Sequence, residues 1–207
     1  MESIKKDIST SKHEELIKHI SAGKYEEVIK ISEDLEYTLA LAPNSEIPIE
    51  EVYAPYLAAY LILNQLPAAK FLWKRIPERQ KTDEIRAIWN VGTALWNREF
   101  ENVYGLIEGK PWSSLVAPLM TKLAELVRER VLDLLSEAYS SIAIDKAAQR
   151  LGLPQEQLIQ VLTNRGWVLD AATKTLQPKT HKTEIVQNTS FTNFSRLTDL
   201  VIQLEKS

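Results

Sequence analysis

The stretch AAQRLGLPQEQLIQVLTNRGW, residues 147–167, is where the fold is decided. It reads as two short helices joined by a tight turn and running into a tryptophan. Gly152 stands in the C-terminal turn of the first helix, a place that favours glycine, and Pro154 opens the second over residues 155–164, where an N–H is not needed. Just upstream, SSIAI (140–144) is short, apolar and β-branched, which predicts a strand, and Asp145 is placed to cap the helix after it. Downstream, GWVLDAATKTLQP (166–178) reads as strand, turn and strand. Taken with a helix in front, that order spells a small α/β winged helix.

The helix in front is KPWSSLVAPLMTKLAELVRERVLDLLSEAY (110–139). Val116, Leu119, Met120, Leu123, Val127, Val131, Leu134, Leu135 and Ala138 recur at steps of three and four, which predicts one helix of about 25 residues. Pro118 falls in its first turn or just before it, where proline is tolerated. The whole stripe reads as core.

Further toward the N-terminus, six glycines in 207 residues and few alternating β-branched runs point to a mainly α chain. Ser11 and Glu14 have capping-box spacing and mark a helix start. Val28, Ile31, Leu35 and Leu39 then share one helix face, before two prolines in LAPNSEIPIE (41–50) break the pattern. From Glu51 to Ile107 the helices come in pairs. Three helix starts share a large apolar residue followed three later by a smaller one: Tyr25 with Val28, Leu66 with Ala69, Phe100 with Val103. They lie 41 and then 34 residues apart, within the range of helix–turn–helix repeats. The surroundings of Trp89 and Gly92 depart from the tetratricopeptide consensus, so the hairpins are TPR-like but irregular, and their stacking gives a short curved solenoid.

Residues 177–192, QPKTHKTEIVQNTSFT, are polar and unpatterned and read as a linker that begins in earnest at residue 179. In NFSRLTDLVIQLEKS (193–207), Phe194, Leu197, Val201 and Leu204 form an a/d seam, widened by Leu200. A helix this short is marginal alone in water, so its apolar face is expected to dock. The expected organisation is a helical-repeat region over 1–112, a long helix with winged helix over 113–178, a linker over 179–192 and a C-terminal helix over 193–207.

Several function classes are disfavoured. The chain has no cysteine, which removes disulfides, thiolate chemistry and cysteine-ligated zinc. His13 and His19 sit six apart on one helix, too far round it to share a metal, and His181 lies in the linker. No His-Glu-x-x-His, phosphate-cradling loop or nucleophile elbow occurs, so the reading is of a non-enzyme with no catalytic residue, no metal, no cofactor and no small-molecule substrate. No window approaches the roughly 18 apolar residues of a membrane span, and the first twenty residues lack a signal-peptide core. Net charge is −3. Across 137–174, Glu137, Asp145, Glu156 and Asp170 balance Lys146, Arg150, Arg165 and Lys174. Gln155, Gln157, Gln160 and Asn164 on the second helix could pair with base edges, but Glu156 among them and the missing phosphate contacts argue against nucleic acid.

The layout of helical hairpins, long helix, winged helix and terminal helix resembles PCI-domain proteins. AKFLWKRIP (69–77), IWNVGTALWNREFENVYGLI (88–107), AYSSIAIDKAAQRLGL (138–153), GWVLDAATKTLQP (166–178) and RLTDLVIQLE (196–205) resemble more specifically the family of the smallest, eighth PCI-domain subunit of the constitutive photomorphogenesis nine signalosome. That resemblance implies a scaffold, cytoplasmic and nuclear, in the complex that removes Nedd8 from cullin–RING ubiquitin ligases, with the zinc protease on another chain. It implies winged helices packed side by side, C-terminal helices gathered in a bundle, and the third subunit as neighbour. A neutral winged helix can extend a sheet across such a boundary, main chain to main chain. The expected contact residues are therefore Ile142, Ile144, Val168 and Leu176 in the strands, and Phe194, Leu197, Leu200, Val201 and Leu204 in the terminal helix. Trp73 is expected to pack between hairpins, with Lys74 and Arg75 solvated or facing an acidic neighbour. The nearest alternative is a small PCI scaffold of initiation factor three or of the proteasome lid. A more remote one is a winged-helix DNA-binding regulator.

Overall fold

One turn geometry makes all three of the helix starts marked by large–small apolar pairs. The structure, a computed structural model, describes residues 2–41, 48–170 and 173–178. Tyr25 opens α2 (Tyr25–Leu41), Leu66 opens α4 (Leu66–Arg75) and Phe100 opens α6 (Phe100–Glu108). Two residues before each start the chain takes a left-handed residue: Gly23 at φ 69°, Asn64 at 59° and Arg98 at 60°. The same two hydrogen bonds close each preceding helix. The N–H groups of Lys24, Gln65 and Glu99 donate five residues back to the carbonyls of His19, Tyr60 and Ala94. Those of Gly23, Asn64 and Arg98 donate to Ile20, Leu61 and Leu95. These are Schellman turns, which satisfy carbonyls that a helix end leaves without a partner. They recur at Gly152 and Gly166.

The turns join α1 (Glu2–Ser21) to α2, α3 (Ile49–Ile62) to α4, and α5 (Asp83–Trp96) to α6. The first helix begins earlier than its capping-box spacing suggests. Ser11 lies inside it, because residues 2–10 hold neither proline nor glycine to stop a helix. A long helix, α7 (Ala117–Ala138), follows with Pro118 in its first turn; it has 22 residues rather than about 25. Helix α3 packs against α2, α4, α5 and α7. Its sequence explains the position: Val52, Tyr53, Ala54, Tyr56, Leu57, Ala58, Ala59, Leu61 and Ile62 are all buried, so apolar residues run round its whole circumference.

A half-buried polar network ties α2, α3 and α4 together. Arg75 grips Glu36 with two hydrogen bonds, Nε to Oε1 at 2.9 Å and Nη2 to Oε2 at 2.6 Å. Tyr53 donates to Glu36 at 3.2 Å, and Tyr56 donates to Glu33 at 3.1 Å. Arg75 thus pairs with a carboxylate while its side chain stays 55% exposed to solvent, as expected. Burial, with the Glu36 charge beside it, pushes the Tyr53 phenol up to about 12. Trp73 packs between hairpins as expected, its ring stacked on Trp89 at 5.4 Å under the Lys81 ammonium.

The winged helix consists of β1 (Ile142–Ala143), α8 (Ile144–Leu151), α9 (Gln155–Asn164), β2 (Val168–Asp170) and β3 (Thr175–Gln177). All pairing is antiparallel and β3 lies in the centre, with Ile142 opposite Leu176 and Val168 opposite Gln177. The first strand is shorter than SSIAI suggests, because Ile144 already opens α8. Ala143 then takes the cap position without a side-chain bond, and Asp145 falls in the first turn. There it favours the positive end of the helix dipole and accepts a 2.7 Å hydrogen bond from Gln155 Nε2. Arg128 of α7 locks the winged helix to the hairpins. Its guanidinium sits 4.8 Å over the Tyr104 ring of α6 while its Nε donates to the Leu151 carbonyl at 3.3 Å.

Candidate assembly interface

With β3 in the middle, β1 and β2 are the edges, and no further strand pairs with either among the described residues. An edge strand offers a row of main-chain donors and acceptors to another chain. The three residues of β2 make the longer edge. Val168 on it is 63% exposed, an apolar β-branched side chain standing in solvent. The other strand positions named from the sequence lie differently. Ile142 and Leu176 are buried in the core of the winged helix with Leu158, Leu162 and Trp167, and Ile144 is half-buried at the start of α8. The structure therefore brings Ile142 and Leu176 together as a cross-strand pair beneath the surface, and leaves Val168 with its side chain outward. Phe194, Leu197, Leu200, Val201 and Leu204 lie outside the described residues.

The outer face of α9 exposes Gln157, Gln160 and Asn164 with Glu156, while Gln155 is tied to Asp145. Arg165 at its C-terminus faces Asp133 of α7 at 3.6 Å. No side chain on α9 itself is cationic. Among the described residues no group of three or more His, Cys, Asp or Glu side chains could hold a metal ion, and no helix is long and apolar enough to cross a membrane.

Two exposed apolar features escaped the sequence reading. Phe71 on α4 is 70% exposed, near the Lys70–Trp96 pair, whose ammonium lies 4.5 Å over the indole. A cleft of about 670 Å³ opens between the hairpin turns and α7. Leu134 lines it at 54% exposure although it belongs to the same apolar stripe as its buried neighbours Val131 and Leu135. Periodicity shows that Leu134 is apolar; only the packing shows that no helix among the described residues covers it.

Helical hairpins feeding a long helix, then a winged helix with open sheet edges, define a PCI-type assembly module. Residues 48–185 match the CSN8/PSMD8/EIF3K family, and the chain belongs to it. Its relatives include COP9 signalosome complex subunit 8 of Xenopus tropicalis, 36% identical over 160 residues that cover 75% of this chain and 82% of the relative. The protein of the same name in Danio rerio is 35% identical over 164 residues, covering 77% and 85%. That of Arabidopsis thaliana is 32% identical over 155 residues, covering 74% and 79%. The family match begins at α3's entry, so α1 and α2 lie outside it.

Proposed function

We propose that this chain is a non-catalytic scaffold subunit of a signalosome, the complex that deneddylates cullin–RING ubiquitin ligases. One observation carries the reading. Relatives from frog, fish and plant, each matched over about three quarters of this chain, all bear the name COP9 signalosome complex subunit 8. The open sheet edge at β2 suits it. The winged helix meets a neighbouring PCI subunit, the third, through the β2 main chain and the Val168 side chain. Ile144 stands half-exposed at the start of α8, and Ile142 and Leu176 hold the sheet together from its core. The apolar seam of Phe194, Leu197, Leu200, Val201 and Leu204 joins a bundle of C-terminal helices, where each buried side chain contributes roughly 1.5–3 kcal/mol. Cytoplasm and nucleus are its compartments.

The matched family also spans PSMD8 and EIF3K proteins, which makes a lid or initiation-factor scaffold the second reading. Affinity purification of the tagged chain from its own cells, followed by native mass spectrometry, separates the two. A multi-subunit assembly that cleaves neddylated cullin is expected. Recovery with translation or proteasome subunits would replace the proposal by the second reading. Leu197→Glu combined with Val201→Glu should leave the fold intact and weaken incorporation; normal assembly of that variant removes the bundle contact.

A further inference from the structure

The outward face of α4 carries a charge and an apolar surface that the assembly reading does not use. Pro67, Phe71 and Lys74 follow one another at steps of four and three, so they stand side by side on the helix, and all three are exposed. Phe71 is 70% exposed and Trp96, at the end of α5, is 48% exposed. Lys70 links the two rings: it adjoins Phe71 in the chain and sets its ammonium 4.5 Å over the Trp96 indole. Helix α4 has no acidic residue, and residues 66–82 hold Lys70, Lys74, Arg75, Arg79 and Lys81 against Glu78. The carboxylates of the surrounding elements are engaged elsewhere or lie at a distance. Glu78 takes Lys81 and Arg86, Glu36 of α2 takes Arg75, and Glu33 accepts from Tyr56 and Tyr60. Glu51 of α3 pairs with His13. Past Trp96, Glu99 accepts from Asn97 and Asn102. Asp83 and Glu84 open α5 about 20 Å along its axis from Trp96, and Glu84 accepts from the Ser113 N–H. Lys74 and Arg79 pair with no carboxylate among the described residues. In a chain of net charge −3, this is a positive face built around an uncovered ring.

We infer that this face docks a short, extended acidic segment of a partner protein, with one apolar side chain anchored on Phe71 and carboxylates meeting Lys70 and Lys74. Ala69 and Leu72 are buried and Trp73 is stacked on Trp89, so α4 is fixed in place and covering Phe71 orders little that is loose. An aromatic side chain on such a support is the kind of residue that carries binding energy. The helix is 10 residues, about 15 Å, long, a span that about five extended residues cover. Charge selects the occupant: the chain as a whole repels an acidic segment, and this face attracts one. A single-stranded nucleic acid is the competing occupant, since it too offers anions and apolar surface. Its affinity rests on several phosphate contacts at once, whereas Lys74 and Arg79 are the cations of this face left without a carboxylate or ring partner among the described residues.

The test uses two labelled designed peptides of about ten residues with one central leucine, flanked in one by glutamates and in the other by glutamines, and a labelled oligouridine of similar length. Fluorescence anisotropy with the full chain should show the glutamate peptide binding about tenfold more tightly than the glutamine peptide. Lys74→Glu should abolish that preference, and Phe71→Ala should weaken both peptides about tenfold. Both side chains are exposed, so thermal melts of the two variants should match the parent. Equal affinities, no binding, or affinities that neither substitution changes would overturn the inference. So would oligouridine binding more tightly than the glutamate peptide and weakening with the same substitutions, because the face would then belong to nucleic acid.

Discussion

A β-carbon on Gly152 would lie 2.3 Å from Cδ2 of Tyr104. No real pair of carbons approaches so closely, and the contact joins the last hairpin helix to the turn between α8 and α9. Gly152 also stands at φ 60°, in the left-handed region. Two independent constraints therefore fix one residue. Gly152→Ala should lose about 1 kcal/mol to backbone strain and about 1–3 kcal/mol to overpacking, roughly 2–4 kcal/mol together. Urea denaturation measures it. Tyr104→Ala in the same background should recover part of the steric share, and a purely additive double mutant would show that the two residues do not touch.

Alkaline pH should destabilise the α2–α3–α4 network. The Tyr53 phenol, ordinarily near 10, is pushed up to about 12 by burial and by Glu36. A raised phenol means that the folded chain keeps a proton which the unfolded chain has already released. The stabilisation is complete below pH 10 and is lost as pH rises from about 10 to about 12. Chemical denaturation across that window should show falling stability, and Tyr53→Phe should flatten the slope.

Arg98 does at its turn what glycine does at Gly23. A non-glycine residue in the left-handed region is held at about 1–2 kcal/mol above its relaxed state, less what the unfolded chain gains in freedom from a glycine. Arg98→Gly should therefore raise stability by about 0.5–1 kcal/mol. Asn64→Gly should gain less, since asparagine tolerates this conformation. Parallel thermal melts decide it.

Val168→Lys alters an exposed side chain on the sheet edge and should change stability by no more than about 0.5 kcal/mol. If the β2 edge meets a neighbouring subunit, the same substitution should lower co-purification of that neighbour while melts of the isolated chain stay unchanged. Undiminished assembly would remove β2 from the interface.

Much of this architecture is legible along the chain because the signals are local. A Schellman turn and the apolar residue after it occupy a handful of consecutive positions, so Tyr25, Leu66 and Phe100 mark their helices without reference to anything distant. Gly152, Pro154 and the hairpin before Pro178 are equally local. Other features are settled by packing between segments far apart. The Arg75–Glu36 grip spans 39 residues of sequence, and α3 is enclosed only because four other helices converge on it. The capping-box spacing at Ser11 and Glu14 occurs inside a longer helix, since spacing alone does not stop the chain upstream. At the candidate interface, alternation along a strand says nothing of strand order. With β3 in the centre, Leu176 becomes interior, while Val168 on the outer strand is left exposed.

The enclosure of α3 changes how this molecule should come apart. In an ordinary solenoid each repeat touches only its neighbours, so terminal units can fray while the rest endures. Here the detachment of α2, α4, α5 or α7 would lay bare buried side chains such as Val52, Leu57 and Leu61, and beyond its first turn the helix they belong to carries no charged residue to turn toward water. A partly unravelled intermediate would bring much of that apolar helix into solvent at once. The chain should therefore melt as one cooperative unit from α2 through α7, with coincident transitions by tryptophan fluorescence and circular dichroism, and it should resist trimming from either end until it fails altogether.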